Sequence, residues 1–141
     1  MRISIINHDH TVGMIDSDNP LPVQVLQAGG GVDVDDADLV YATGTTAALG
    51  VTTLVAAPGA GVRIVVSAFM VQNESAVATT IQVQAGGSSA FRALLQTQGA
   101  ALSGAFQADR EWKLPANTAF NLNLSAANLH GYSIVYYTEG V

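Results

Sequence analysis

The sequence predicts an all-β protein, an antiparallel eight-stranded β-sandwich of the jelly-roll type with an extended N-terminal arm. Three observations support this prediction. Beyond residue 43, short apolar runs recur about every ten residues, Gly- and Pro-containing turns separate them, and two of the runs alternate apolar with polar residues. No segment of useful length repeats its apolar residues at the helical period. The jelly roll is the eight-stranded, two-sheet architecture that suits this strand count.

The chain is expected to have two regions. Residues 1–42 form an N-terminal arm with an acidic and Gly-rich linker, and residues 43–141 form the jelly-roll β-sandwich domain. Within the domain, runs of strand-forming residues are bounded by turn residues. They predict strands at 50–57, 61–72, 77–86, 89–96, 103–107, 111–114, 119–126 and 131–138.

Two runs alternate clearly enough to assign their faces. Alternation with a period of two is typical of a strand whose one side is buried and whose other side is solvated. The residues expected to face inward are Ile81, Val83, Ala85, Phe120, Leu122 and Leu124. The residues expected to face outward are Gln82, Gln84, Asn121 and Asn123.

The longest apolar strand follows a turn at residues 58–61, where Pro58 sets φ and the glycines tolerate positive φ. Residues 62–71 are apolar except for Arg63 and Ser67, so both faces of this strand need cover. Regular alternation puts Ile64, Val66, Ala68 and Met70 on one face and Val65, Ser67, Phe69 and Val71 on the other. We therefore expect Val65 and Phe69 to lie at a trimer interface or beneath a second layer supplied by the arm.

The arm has too few large apolar residues to form a core of its own. Short strands are expected at its start, around Ile3 and Ile5 and over 12–15. Its apolar side chains need an external surface, and short strands can add to the edge of a partner sheet. The residues predicted to dock on that partner are Ile3, Ile5, Ile6, Leu21, Val23 and Val25.

Charge is scarce and unevenly distributed. Charged residues make up 11% of the chain, against a typical value of about 25%. Residues 1–42 contain one arginine and seven aspartates, and this net charge of −6 is the charge of the whole chain. Residues 43–141 contain four cations and four carboxylates and are neutral. A neutral, apolar domain favours self-association, and the lack of a basic surface argues against nucleic acid as a partner.

The sequence lacks the residues and motifs that several other classes of function require. There is no cysteine, so disulfides and thiolate chemistry are excluded. No apolar run approaches the roughly 20 residues needed to span a bilayer, and the N-terminus does not resemble a signal peptide. No phosphate-binding loop and no Gly-x-Ser-x-Gly nucleophile motif occurs. We expect a protein that is not an enzyme, with no catalytic residues and no membrane partner.

Two motifs were weighed as metal sites. His8 and His10 flank Asp9, but the remaining histidine, His130, is far away in sequence, and a polar turn is the simpler interpretation. Aspartates 33, 35, 36 and 38 offer oxygens for calcium, but Asp38 replaces the EF-hand glycine and Gly44 its final glutamate. A solvated acidic linker is favoured, and no metal or other cofactor is predicted.

A sugar-binding alternative depends on the aromatic residues. Trp112, Tyr132, Tyr136 and Tyr137 are candidates for an aromatic platform, and lectin-like jelly rolls exist. The competing interpretation is that these side chains pack at strand ends and interfaces, where their polar tips remain in contact with water.

Three segments carry a resemblance to a known group. They are residues 19–25 (NPLPVQV), residues 54–64 (LVAAPGAGVRI), which follow a Gly-rich and acidic linker, and residues 131–137 (GYSIVYY). Together they resemble the small structural proteins of tailed bacteriophages, of the capsid decoration (cement) and head-fibre type. The resemblance implies a jelly-roll body that trimerises and an N-terminal arm that contacts the capsid or another virion protein.

These observations predict a non-enzymatic virion structural protein. It would be a homotrimer that decorates or cements a phage capsid through its arm. It would be made in the host cytoplasm and located on the capsid exterior, with the major capsid protein or another virion protein as partner. The alternative is a receptor- or glycan-binding tip of a phage tail or fibre. A third, weaker alternative is an accessory module of a bacterial carbohydrate-active protein.

Overall fold

The computed structural model describes residues 3–6, 12–15 and 38–141. Within these residues the regular structure consists of antiparallel β-strands. The chain divides into two compact units, Met1–Gly31 and Val32–Val141.

The first unit contains a pair of short strands, β1 (Ile3–Ile6) and β2 (Val12–Ile15). They are antiparallel, with Ile3 opposite Ile15 and Ile6 opposite Val12. The two short strands predicted for this region are therefore present.

The second unit contains nine strands between residues 38 and 141. They are β3 (Val40–Thr46), β4 (Gly50–Val55), β5 (Val62–Asn73), β6 (Thr79–Ala85), β7 (Ser88–Leu95), β8 (Ala101–Ala105), β9 (Trp112–Lys113), β10 (Phe120–Leu124) and β11 (His130–Gly140). A four-stranded sheet has the order β4-β10-β6-β7. A five-stranded sheet has the order β3-β11-β5-β8, and the short β9 also pairs with β5.

The strand pairs are nested along the chain. Apart from β9, the first strand of this unit pairs with the last, β3 with β11, and the second with the second last, β4 with β10. Inside these pairs, β5 pairs with β8 and β6 with β7. The chain thus behaves like one long antiparallel ribbon whose successive pairs lie alternately in the two sheets.

Each of the eight predicted runs overlaps an observed strand, but the count of eight is not confirmed, because residues 38–141 contain nine strands. The additional strand is β3, which starts at Val40, inside the segment that the sequence assigned to the arm. Its core-facing positions include Ala42 and Gly44, which are too small to give an apolar signal. Gly44 lies opposite Tyr132 of β11, and a Cβ added at Gly44 would lie 2.7 Å from the Tyr132 hydroxyl. The Tyr132 ring therefore fills space that β3 leaves empty.

The core lies between the two sheets. The inward residues predicted for β6 and β10 are confirmed, since Ile81, Val83, Phe120, Leu122 and Leu124 are buried in one cluster and Ala85 packs against it. Residues of the five-stranded sheet, including Val71 and Ile134, belong to the same cluster. The fold is therefore a β-sandwich-like pair of antiparallel sheets.

An aromatic cluster occupies one part of this core. The Phe69 ring centroid lies 5.2 Å from that of Phe91 and 6.2 Å from that of Phe120. Trp112 packs edge-on against Phe91, with ring centroids 5.2 Å apart. Phe106 completes the group, at 6.4 Å from Phe69. Pairs in this distance range are favourable beyond the apolar area that they bury.

The predicted face of Phe69 is wrong, because β5 contains a bulge. Val135 of β11 lies opposite Ala68, while the next residue, Tyr136, lies opposite Val66, so Ser67 is the extra residue. A bulge shifts every later side chain to the other face. Phe69 therefore points into the core together with Val66, and Met70 points outward with 44% of its surface exposed.

Candidate functional site

The outer face of the five-stranded sheet carries uncharged side chains over three consecutive rows. Cross-strand partners in a sheet point to the same side, so the registers of β3, β11, β5 and β8 define these rows. The rows are Tyr41–Val135–Ala68–Ala105, Thr43–Ser133–Met70–Ser103 and Thr45–Gly131–Gln72–Ala101. We call these twelve positions the neutral face.

Much of the neutral face is exposed. Tyr41 and Met70 are 68% and 44% exposed. A depression of about 230 Å³ lies at its centre. The depression is lined by Ala68, Phe69, Met70, Ser103, Gly104, Ala105, Ser133 and Val135. These side chains are small or apolar, so a partner would displace water from them at little cost in lost hydrogen bonds.

Charged groups stand at both ends of the neutral face. At one end the side chain of Glu74 lies over Gly131, because a Cβ added at Gly131 would meet Glu74 Oε1. At the other end Glu139 Oε1 accepts hydrogen bonds from Arg63 Nε at 2.6 Å and from Lys113 Nζ at 3.0 Å. The Glu139 ion pairs therefore border the neutral face at one end, and at the other end the Glu74 carboxylate covers the Gly131 position of the third row.

Two groups at the ion-paired end of the neutral face, Glu139 and Tyr137, have shifted pKa values. Burial alone would raise the pKa of Glu139, but hydrogen bonds from Lys113 and Arg63 and their charges outweigh it and hold that pKa below its ordinary value. Burial, together with the nearby carboxylates of Glu111 and Glu139, raises the pKa of the Tyr137 phenol above its ordinary value.

Val65 lies at this same end, on the row between Tyr137 and Lys113. It points away from the core cluster, as the sequence predicted, and it has no exposed surface. Of the two residues predicted for an interface, Phe69 belongs to the core and Val65 is already covered. The exposed part of this face is centred on Met70, which regular alternation had assigned to the inside.

The outer face of the four-stranded sheet has a different chemistry. Its two complete rows are Thr53–Asn121–Gln84–Ser89 and Val51–Asn123–Gln82–Arg92. We call these eight positions the amide face. All four predicted outward residues, Gln82, Gln84, Asn121 and Asn123, lie outside the core cluster, as expected. The expected solvated side is only partly present, because Gln84 and Asn121 are buried while Gln82 and Asn123 are half-buried.

The four aromatic residues considered for a sugar platform do not share a surface. Trp112, Tyr132 and Tyr136 pack against the core between the sheets. Tyr137 lies on the opposite side of the five-stranded sheet, level with Val65. The aromatic platform is therefore not formed.

The predicted docking residues of the arm are only partly described. Ile3, Ile5 and Ile6 belong to β1. Leu21, Val23 and Val25 lie outside the described residues, as do the histidine pair at 8–10 and the aspartates at 33–36. Within the described ranges, no group of three or more His, Asp or Glu side chains is placed to hold a metal ion. In the same part of the chain, no helix has the length and hydrophobicity required to cross a membrane.

Fold and surfaces define a class: an all-β, β-sandwich-like protein with two chemically distinct outer faces. Comparison with known proteins adds no closer assignment, because no family model and no curated protein matches the chain.

Proposed function

We propose that this protein is a non-enzymatic structural protein of a tailed-bacteriophage particle. In this proposal a homotrimer with a jelly-roll body decorates or cements the capsid, and the N-terminal arm attaches it to the major capsid protein or another virion protein. The observation that carries the proposal is the neutral face, a largely exposed sheet surface whose twelve positions include no charged residue.

The nested strand pairs support a jelly-roll body. A jelly roll contains eight strands, and its two Greek keys pack as a double sheet. Leaving out β9, the eight main strands of the second unit pair first with last, second with seventh, third with sixth and fourth with fifth. Such nesting is what results when an antiparallel ribbon wraps around itself to form two sheets.

The neutral face supports self-association. Exposed apolar patches on small proteins commonly mark interfaces, and another copy of this chain presents the same uncharged surface without any need for complementary charges. In a trimer with threefold symmetry each contact is heterologous, so one part of the neutral face would meet a different part of the neighbouring subunit.

The charge distribution supports a separate role for the arm. Residues 1–42 hold the net charge of −6, whereas the body is neutral. Three arms per trimer would combine weak contacts into firm attachment if all of them reach the particle together. The acidic run would either steer the arm towards a basic shell or keep the linker extended by self-repulsion.

Self-association is tested by sedimentation of the full-length protein and two matched variants. Met70→Asp places a charge at the centre of the neutral face, and we expect a folded monomer. Asn123→Asp places the same charge on the amide face, and we expect the trimer to remain. A monomeric unmodified protein at micromolar concentration, or trimers in both variants, would contradict the proposed interface.

Attachment is tested with purified capsid shells that lack the protein. Deletion of residues 1–27 should leave a folded trimer that no longer binds the shells. If binding persists, the docking site lies on the body. Replacement of Asp33, Asp35, Asp36 and Asp38 by Asn should slow association and weaken its dependence on salt if these residues steer the arm. Unchanged binding would identify the run as a spacer.

A further inference from the structure

The first row of the amide face is short of hydrogen-bond donors. Asn121 Nδ2 donates to the Gly86 carbonyl oxygen at 2.8 Å, and Gln84 Nε2 donates to Gln82 Oε1 at 3.3 Å. Among residues 3–6, 12–15 and 38–141, no hydrogen-bond partner is found for the oxygen atoms of the same two amides, Asn121 Oδ1 and Gln84 Oε1, although Gln84 is only 5% and Asn121 only 8% exposed. Buried polar atoms are nearly always paired, so this row lacks two O–H or N–H groups.

The second row offers donors to solvent. Arg92 is exposed and Asn123 is half-buried. The two salt bridges of the described residues both involve Glu139, so Arg92 is in neither of them. A guanidinium group provides five N–H donors in a planar fork, and an Asn amide provides two donors and an acceptor. Adjacent rows of one surface therefore present unfilled acceptors and available donors.

The balance of these groups indicates the chemistry of a ligand. A hydroxyl group both donates and accepts, so it can fill the first row and bind the second. The eight positions include no carboxylate, which disfavours a cationic ligand. An extended peptide pairs its backbone with the edge of a sheet and not with its face. A compact ligand with many hydroxyl groups fits all three conditions.

We propose that the amide face binds an oligosaccharide. Its hydroxyl groups donate to Asn121 Oδ1 and Gln84 Oε1 and accept from the side chains of Asn123 and Arg92. This site is independent of the role proposed above for the neutral face and the arm, and it does not use the aromatic residues that the sequence suggested for sugar binding.

The turn between β6 and β7 borders the first row of the amide face. The Asn121–Gly86 hydrogen bond and the bond from Gly86 N to the Ala119 carbonyl oxygen (2.8 Å) close this end of the face. Gly86 adopts a φ of +58°, which a residue without a Cβ tolerates easily. For an oligosaccharide to reach the buried oxygens Asn121 Oδ1 and Gln84 Oε1, this turn must move aside, and a ligand hydroxyl that takes the place of the Gly86 carbonyl then accepts from Asn121 Nδ2.

The test begins with the fluorescently labelled full-length protein on an array of neutral and acidic oligosaccharides. The best-retained oligosaccharide is then titrated calorimetrically against the unmodified protein and four variants. We expect Arg92→Ala and Asn123→Ala to weaken binding by about three- to tenfold each, the effect of losing one net hydrogen bond. The matched variants Gln96→Ala and Gln107→Ala, at exposed positions outside both faces, should bind as tightly as the unmodified protein. Thermal unfolding checks that all four remain folded.

Three results would overturn the proposal. The first is that no oligosaccharide is retained. The second is that the two pairs of variants lose affinity equally or not at all. The third is a crystal structure, grown with the best-retained oligosaccharide, in which ordered water alone fills the two acceptors. None of these results affects the trimer, which is measured separately by sedimentation, so failure here is distinguishable from failure of the decoration role.

Discussion

The two outer sheet faces are both antiparallel but differ in chemistry. Six of the twelve positions on the neutral face carry a hydroxyl or an amide group and none is a charged residue, whereas seven of the eight positions on the amide face can donate or accept a hydrogen bond and one of them, Arg92, is charged. The inner positions of both sheets contribute to one apolar cluster and differ little between them. Core packing constrains the inner positions, so the two sheets differ mainly at their outer positions.

The largest expected effect is a difference in stability between substitutions on the inner and outer sides of β5. Phe69 and Met70 are consecutive, but Phe69 lies in the aromatic cluster and Met70 on the neutral face. We expect Phe69→Ala to lower the free energy of unfolding by about 3–5 kcal/mol, because it leaves a cavity. Met70→Ala should change the free energy of unfolding of the isolated subunit by about 0.5 kcal/mol or less. Urea unfolding at low protein concentration measures both, and equal losses would contradict the bulge at Ser67.

A second, smaller loss of stability is expected at Gly104, where the five-stranded sheet has no space for a side chain. Gly104 lies opposite Phe69, and a Cβ added at Gly104 would lie 2.6 Å from the Phe69 ring. We expect Gly104→Ala to cost about 1–3 kcal/mol of stability, because the ring must move in a packed core. Ser103→Ala, one residue away on the neutral face, is the control. A neutral result for Gly104→Ala would show that the aromatic cluster is loosely packed.

The ion pairs of Glu139, at the charged end of the neutral face, should contribute less to stability than the core residues. Glu139 binds two cations and remains partly exposed, so we expect Glu139→Gln to cost about 1 kcal/mol or less near neutral pH. Because the pKa of Glu139 is lowered in the folded protein, the ionised form stabilises it above the unfolded-state pKa. This contribution is lost as the pH falls through the folded-state value. The difference in Tm between the unmodified protein and Glu139→Gln should therefore shrink in acid. A difference that persisted at pH 2 would rule out the ion pairs as its source.

The smallest expected effect concerns Tyr137 at the same border. Its raised pKa means that its neutral form is favoured in the folded protein, so its contribution to stability falls as the pH rises above the ordinary tyrosine range. A spectrophotometric titration of the phenols should show a late-ionising component that Tyr137→Phe removes. A late component that persists in this variant would contradict the assignment.

The strands with regular alternation can be predicted from the sequence. In β6 and β10, large apolar residues alternate strictly with amides, so their faces follow from the period of two. β3 has no such pattern, because its partner Tyr132 provides the bulk that Ala42 and Gly44 lack. An apolar signal carried by the neighbouring strand is invisible when β3 is considered alone.

The neutral face was harder to predict for a different reason. Both alternate sets of residues in β5 are apolar, so nothing in their order shows where the phase changes. The bulge at Ser67 appears only in the pairing with β11, where Val66 and Ala68 lie opposite adjacent residues. The sequence therefore indicated that β5 has two covered faces, but it assigned Phe69 and Met70 to the wrong ones.

The nesting of strand pairs has a consequence for synthesis on the ribosome. β10 lies between β4 and β6, and β11 lies between β3 and β5. Each sheet therefore contains, as an interior strand, one of the two strands that are synthesised last among those described. Neither sheet can close before these residues leave the exit tunnel, and the pairing of β3 with β11 joins segments that are far apart in sequence. Folding dominated by such long-range pairing is slow. Until it is complete, the unpaired strands of nascent chains are open to one another, so expression at low temperature or with chaperones should raise the soluble yield.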